Sequence, residues 1–168
     1  MIYVCPLSRV GETVQSVGAG RLISLLSVGT AMERPASLLA TDHLLLSMHD
    51  IITEMPDMTP PGLDHVQSLL GFAANWDRKK PLVVNCFAGI SRSTAAAYII
   101  AAALDPKRDE KELAEALRSA SPSATPNIRL VSIADAILGR RGRMVDAIDG
   151  IGRGADAYEG IPFRLDMR

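Results

Sequence analysis

Cysteine is scarce in this chain: only Cys5 and Cys86 occur among 168 residues. Two distant cysteines make no disulfide framework, and the usage fits a reducing compartment in which one thiol is kept for chemistry. Neither sign of charge dominates, with 18 Lys and Arg against 19 Asp and Glu and a formal net charge of -1. A general nucleic-acid binder carries a basic excess, so any anion site here must be local. No apolar run approaches the ~20 residues that a membrane span needs. The most apolar stretch, 94–104, is rich in alanine and suits a buried helix. The opening MIYVCPLSRV lacks the charged region and long apolar run of a signal peptide. Internal repeats, low-complexity tracts and linkers are missing too. His43, His49 and His65 form no ligand pattern with the cysteines, so no metal site is expected. Gly18-Ala19-Gly20 lacks the third glycine of a dinucleotide loop, where Ile23 stands instead. These absences predict a soluble, cytoplasmic protein without cofactor, with no nucleic-acid or membrane partner.

What is present is a core. Hydrophobic residues make up 48% of the chain, enough for one domain over 1–168 without staples. Short apolar runs at Ile2–Cys5, Leu22–Val28, Leu44–Met48 and Leu82–Val84 read as strands. Pro56, Pro60 and Pro61 break the segment between the third strand and the next helix. Asp64 is placed to cap a helix carrying Val66, Leu69, Leu70, Ala73 and Trp76 on one stripe, with Trp76 as core. Ser91–Leu104 reads as a buried helix ended by Asp105-Pro106, Asp109–Ala120 as an amphipathic one, and a further helix runs from Asn127 through Leu138. Strands alternating with helices predict an α/β fold with a central, mostly parallel sheet flanked by helices. The core spans about 1–138. Its Gly- and Arg-rich tail, 139–168, is of open order, and Arg140, Arg141 and Arg143 are expected on a solvated surface.

The informative segment is Leu82-Val83-Val84-Asn85-Cys86-Phe87-Ala88-Gly89-Ile90-Ser91-Arg92-Ser93-Thr94. It reads as buried strand, glycine-bearing turn and helix start. Backbone N–H groups in such a turn point into one concavity, and the helix dipole adds positive potential there. A phosphate suits that concavity, with Phe87, Ala88, Gly89, Ile90 and Ser91 around it. Arg92 adds a fork for two phosphate oxygens. Cys86 at the rim is then stabilised as a thiolate, able to attack phosphorus in line. Ser93 is placed to stabilise that thiolate as it leaves a phosphocysteine. Gly89 fits a close backbone approach or positive φ. A cysteine on a buried strand is usually only a small hydrophobe; the conjunction of Cys, Gly, Arg and Ser between strand and helix carries the functional reading.

Cys86-x-x-Gly89-x-x-Arg92-Ser93 resembles the signature of the cysteine-dependent protein tyrosine phosphatase superfamily, especially its compact dual-specificity branch. Pro126-Asn127 at a helix start is similar to a Pro-Asn pair of that branch, which adds Asn127 to the site. The longer pattern NCFAGISRSTAAAYIIAAAL with SPSATPN resembles a bacterial group of predicted tyrosine phosphatases. The resemblance spans about Leu44 to Leu138 and implies a metal-free, two-step mechanism through a cysteinyl phosphate. One position departs: Asn85 stands where the family has the histidine that supports the thiolate, which predicts a tuned or weakened enzyme.

A carboxylate must protonate the leaving oxygen and later activate water. Asp50 and Asp57 both precede Cys86 at the family's kind of distance, and spacing does not separate them. Asp50 is preferred because it directly follows a strand at the C-terminal sheet edge, where α/β sites gather; Glu54 is a third choice. The loop lacks lysines, which argues for a substrate with one phosphate group, on a protein or a small phosphomonoester. A catalytically silent phosphate-binding module is the rival reading, and sulfur or arsenate chemistry on a related loop ranks below it.

Overall fold

In the computed structural model, which describes residues 1–167, the four apolar runs and a short strand from the tail form one five-stranded sheet. Strands β1 (Ile2–Pro6), β2 (Arg21–Leu26), β3 (His43–Ser47) and β4 (Leu82–Cys86) are mutually parallel, and β5 (Phe163–Leu165) pairs antiparallel with β1. Their order is β3-β2-β4-β1-β5, so β4 runs between β2 and β1. All five of its residues are buried, as expected for a strand covered on both faces. Side chains alternate across a strand, so Leu82 and Val84 enter one core while Val83 enters another. The fold is α/β with a mostly parallel sheet, as the alternating pattern predicts.

Helix α1 (Val10–Val17) covers one face with a small core of Cys5, Val10, Val14, Leu22 and Val83. The other face carries α2 (Leu63–Ala74), α3 (Arg92–Leu104), α4 (Glu110–Ala120), α5 (Ile128–Ile137) and α6 (Arg143–Ile151). Helix α3 is buried from Arg92 through Ala102, because it packs on the sheet and on α2, α4 and α5 together. Its alanines let these neighbours approach closely, and a helix buried all round needs no polar face. Asp109 caps α4 by accepting from the Lys111 and Glu112 amides, a contact worth ~1 kcal/mol.

Several expectations change. Asp64 is not the cap of α2: the helix opens after Gly62, and Asp64 lies in its first turn. Trp76 falls beyond the helix, yet it is core, 5% exposed, with Nε1 donating to the Lys80 carbonyl at 2.9 Å. Helix α1 was absent from the sequence reading, although Val10, Val14 and Val17 recur at helical spacing and Gly18 ends the helix in the left-handed region at φ 62. The tail carries α6 and β5; Arg168 lies outside the described residues. Arg140 is not on a solvated surface. It is 7% exposed and donates to Glu110 Oε1 at 2.6 Å and to the Ala102 carbonyl at 2.8 Å, while Arg143 adds a second contact to Glu110 at 3.2 Å. Among the described residues no helix is long and apolar enough to cross a membrane.

Candidate active site

β4 stops at Cys86 and α3 starts at Arg92, so Phe87–Ser91 forms the connecting loop. The scaffold holds its carbonyls. Phe87 O accepts from the Leu7 amide at 3.1 Å, Ala88 O from Gly160 at 2.7 Å, Ile90 O from Thr125 at 2.9 Å, and Ser91 O from Asn127 at 3.1 Å. Every one of these donors lies outside the loop. In a trans peptide N–H and C=O point opposite ways, and no peptide bond among the described residues is cis. The N–H groups of Ala88, Gly89, Ser91 and Arg92 therefore turn into the loop. Gly89 has φ 70, and a Cβ there would sit 2.7 Å from the Pro6 nitrogen. Both the backbone angle and the packing against β1 require glycine.

Cys86 stands at the loop's start, buried, with Sγ 3.0 Å from Ser93 Oγ. Arg92 opens α3 at 5% exposure. Its Nη1 donates to the Met48 carbonyl at 2.7 Å and to Ser27 Oγ at 3.2 Å, which ties the guanidinium to the ends of β3 and β2. Among the described residues its buried Nε has no partner. An unmet donor on a buried charged group is costly, and such a group usually has a functional explanation. The sequence pointed to Arg92 but not to Ser27 or the Met48 carbonyl, because neither residue type signals this role.

Behind Cys86 lies a buried polar line. Asn85 Oδ1 accepts from Ser24 Oγ at 2.6 Å, and Ser24 Oγ lies 2.9 Å from His43 Nε2. Since the serine proton goes to Asn85, His43 is the donor on its side. Burial, with a lesser push from the Arg34 charge, holds the His43 imidazole below its ordinary pKa, so the neutral ring is favoured. In the sequence His43 bears only on the question of a metal site, for which it forms no ligand pattern. Cys5, the second thiol, is pushed up to about 12 by burial and stays inert.

Asp50 sits at the loop's flank. Its Oδ1 accepts from Ser91 Oγ at 2.8 Å and from Asn127 Nδ2 at 2.9 Å. Asn127 also caps α5, accepting from the Leu130 amide at 3.1 Å. A cleft of ≈ 280 Å³ opens here, lined by Asp50, Ile90, Ser91 and the tail residues Arg153, Gly154 and Asp156 among others. Asp57 lies in the proline-rich loop at φ 58, exposed, and among the described residues its side chain makes no hydrogen bond to the Phe87–Ser91 loop. His49 folds that loop back, accepting at Nδ1 from the Thr59 amide at 2.9 Å. Glu54 is exposed. Phe87, 52% exposed, stands on the rim rather than inside. Among the described residues no three His, Cys, Asp or Glu side chains are grouped as a metal site.

No family model matches the chain, and no curated protein matches it. Solved structures do. The PTP-2 phosphatase of Cydia pomonella superposes with a TM-score of 0.63 at 18% identity, over 80% of this chain and 84% of that one. A mouse putative dual specificity phosphatase complexed with zinc tungstate gives 0.62 at 17%, over 88% and 86%. Human DUSP28 gives 0.59 at 18%, over 83% and 92%. The chain thus has the fold of the tyrosine and dual-specificity phosphatases.

Proposed function

We propose that this chain is a cysteine-dependent phosphomonoesterase of the tyrosine or dual-specificity type. The observation that carries the reading is Arg92, whose Nη1 is spent on the scaffold while its buried Nε has no partner, beside a thiol with a hydroxyl at 3.0 Å. A phosphoryl group seated among the loop amides meets that free edge of the guanidinium.

Two steps follow. The Cys86 thiolate attacks phosphorus, a P–S bond forms, and the bond from phosphorus to the ester oxygen breaks. Asp50 supplies the proton that the departing oxygen takes. Its Oδ1 is engaged by Ser91 and Asn127, so Oδ2 is the oxygen that delivers it. Water then attacks the phosphocysteine and gives its proton back to Asp50. The P–S bond breaks, inorganic phosphate leaves, and Ser93 Oγ–H donates to the restored thiolate. Through both steps the loop amides and Arg92 hold the equatorial oxygens, where charge is spread.

The substrate is a singly phosphorylated group on a protein or a small molecule. The loop interior offers one cation, Arg92, and no lysine for a second phosphate. The test is hydrolysis of an aryl phosphate. Turnover is expected to ignore EDTA, to be blocked by vanadate and to vanish in Cys86→Ser. Vanadate binding without turnover in the wild type would instead establish a silent phosphate-binding module.

A further inference from the structure

We propose that the C-terminal segment 152–162 is a strap that positions the phosphate loop, with Gly160 as its positioning residue; this rests on the phosphatase reading. The segment leaves α6 through Gly152, whose carbonyl accepts from Arg118 Nη2 at 2.7 Å. The Gly154 amide donates to Thr125 Oγ1 at 3.1 Å and the Ala155 amide to the Pro122 carbonyl at 2.9 Å. Thr125 in turn donates its amide to Ile90 O. One arm of the loop is therefore braced through the strap's first contacts.

The other arm is braced directly. Gly160 donates its amide to Ala88 O at 2.7 Å, and a Cβ on Gly160 would lie 2.7 Å from Gly89 O. On the opposite side, a Cβ on Gly89 would meet the Cys5-Pro6 backbone. The loop's apex is thus clamped between β1 and the strap, with glycine required on both faces. Glu159 accepts from Ser8 Oγ at 3.0 Å beside this point, and β5 fastens the far end to β1. Holding Ala88 O outward is what turns the Gly89 amide toward the phosphate. Each end of the strap is anchored away from the loop, so its position is set by the fold and not by the substrate.

In Gly160→Ala the added methyl meets backbone and no flexible side chain, so the apex must shift by some tenths of an ångström. Small displacements of a pre-organised anion site are costly, and kcat/KM for an aryl phosphate is expected to fall about tenfold, with a matching loss of vanadate affinity. Tyr158→Ala, at an 86% exposed position in the same segment, is expected to behave as wild type. Hydrogen exchange supplies a readout independent of turnover. Vanadate should slow exchange in wild-type Gly160 together with the loop amides, since coupling is reciprocal, and Gly160→Ala should speed exchange over 87–91. Unchanged kinetics and loop exchange in a folded Gly160→Ala would overturn the strap. If that variant does not fold, wild-type exchange decides: protection of the loop but not of Gly160 on adding vanadate would overturn it. Absence of turnover in the wild type would sink the phosphatase reading and leave the exchange measurement on Gly160→Ala standing.

Discussion

Asn127 and Asp50 meet beside the loop that joins β4 to α3: Asn127 Nδ2 donates to Asp50 Oδ1 at 2.9 Å. Ser91 donates to the same oxygen, so side chains from two separate segments orient one carboxyl group and neither engages its other oxygen. A proton donor matters most when the leaving oxygen is basic. Asp50→Asn is therefore expected to lower kcat by about 10²–10⁴ on an alkyl phosphate and by much less on a nitrophenyl phosphate. Asp57→Asn should leave both rates near wild type. Steady-state kinetics on the two substrates decide the assignment, and equal, mild losses in both variants would remove Asp50 from the mechanism.

Arg92→Lys tests the guanidinium. Nη1 is held by Met48 O and Ser27 Oγ while Nε faces no protein partner, a division of labour that needs a planar fork. Lysine keeps the charge but is a point donor and cannot serve both sides. A fall of about 10²–10³ in kcat/KM is expected, with vanadate affinity falling in parallel. Retention of vanadate affinity would mean that the loop amides alone hold the anion.

The extent to which the sequence revealed this site follows from how local each relationship is. Cys86, Gly89, Arg92 and Ser93 were legible because a strand, a turn and a helix start follow one another within a few residues, and the chemistry depends on that contiguity. Asp50 was legible as a carboxylate at a strand end and is preferred over Asp57 on that ground, but its contacts to Ser91 and Asn127 are encoded in no spacing. Ser24, His43 and Gly160 were not legible at all. Parallel pairing sets Ser24 beside Asn85, and β5 carries the tail back to the loop. Both are products of tertiary register. The same holds for Arg140, read as a surface residue because nothing near it in the chain discloses Glu110.

His43 gives the fold a pH dependence. Burial lowers its pKa from the ordinary value of 6.5, so the unfolded chain binds the proton more readily than the folded one. Stability from this group is present above about pH 6.5 and declines as pH falls below it. Thermal melts are expected to show Tm falling between pH 7 and pH 5.5, with a flatter slope in His43→Gln. A second variant, His43→Leu, removes the Nε2–H donor to Ser24, whose hydroxyl holds Asn85 beside Cys86. Alkylation of Cys86 by iodoacetate, followed against pH, should shift in His43→Leu. An alkylation profile identical to wild type would separate the polar line from the thiol.

Arg140 and Glu110 form the buried ion pair of the helical layer, both side chains under 10% exposed and 2.6 Å apart. Burial works to raise the Glu110 pKa, but its backbone amide contact and the Arg140 and Arg143 charges outweigh it, so the carboxyl lies below its usual range. Arg140→Met leaves that carboxylate with its backbone amide contact and the half-exposed Arg143, which is farther at 3.2 Å. Losing one partner of a buried pair costs about 3–5 kcal/mol, and the remaining arginine puts the expected loss near the lower end. For a chain of this length that corresponds to roughly 6–12 °C in Tm at pH 7. A depressed carboxyl pKa gives stability that is present above the unfolded value of 4.5 and lost as pH falls through the folded one. The gap between wild type and Arg140→Met should therefore narrow below about pH 4. Activity at 25 °C should not change, since Arg140 reaches the Ala102 end of α3 and the chemistry stands at its Arg92 end. A gap of constant size from pH 7 to pH 3.5 would show that Arg140 contributes through its packed stem and not through its charge.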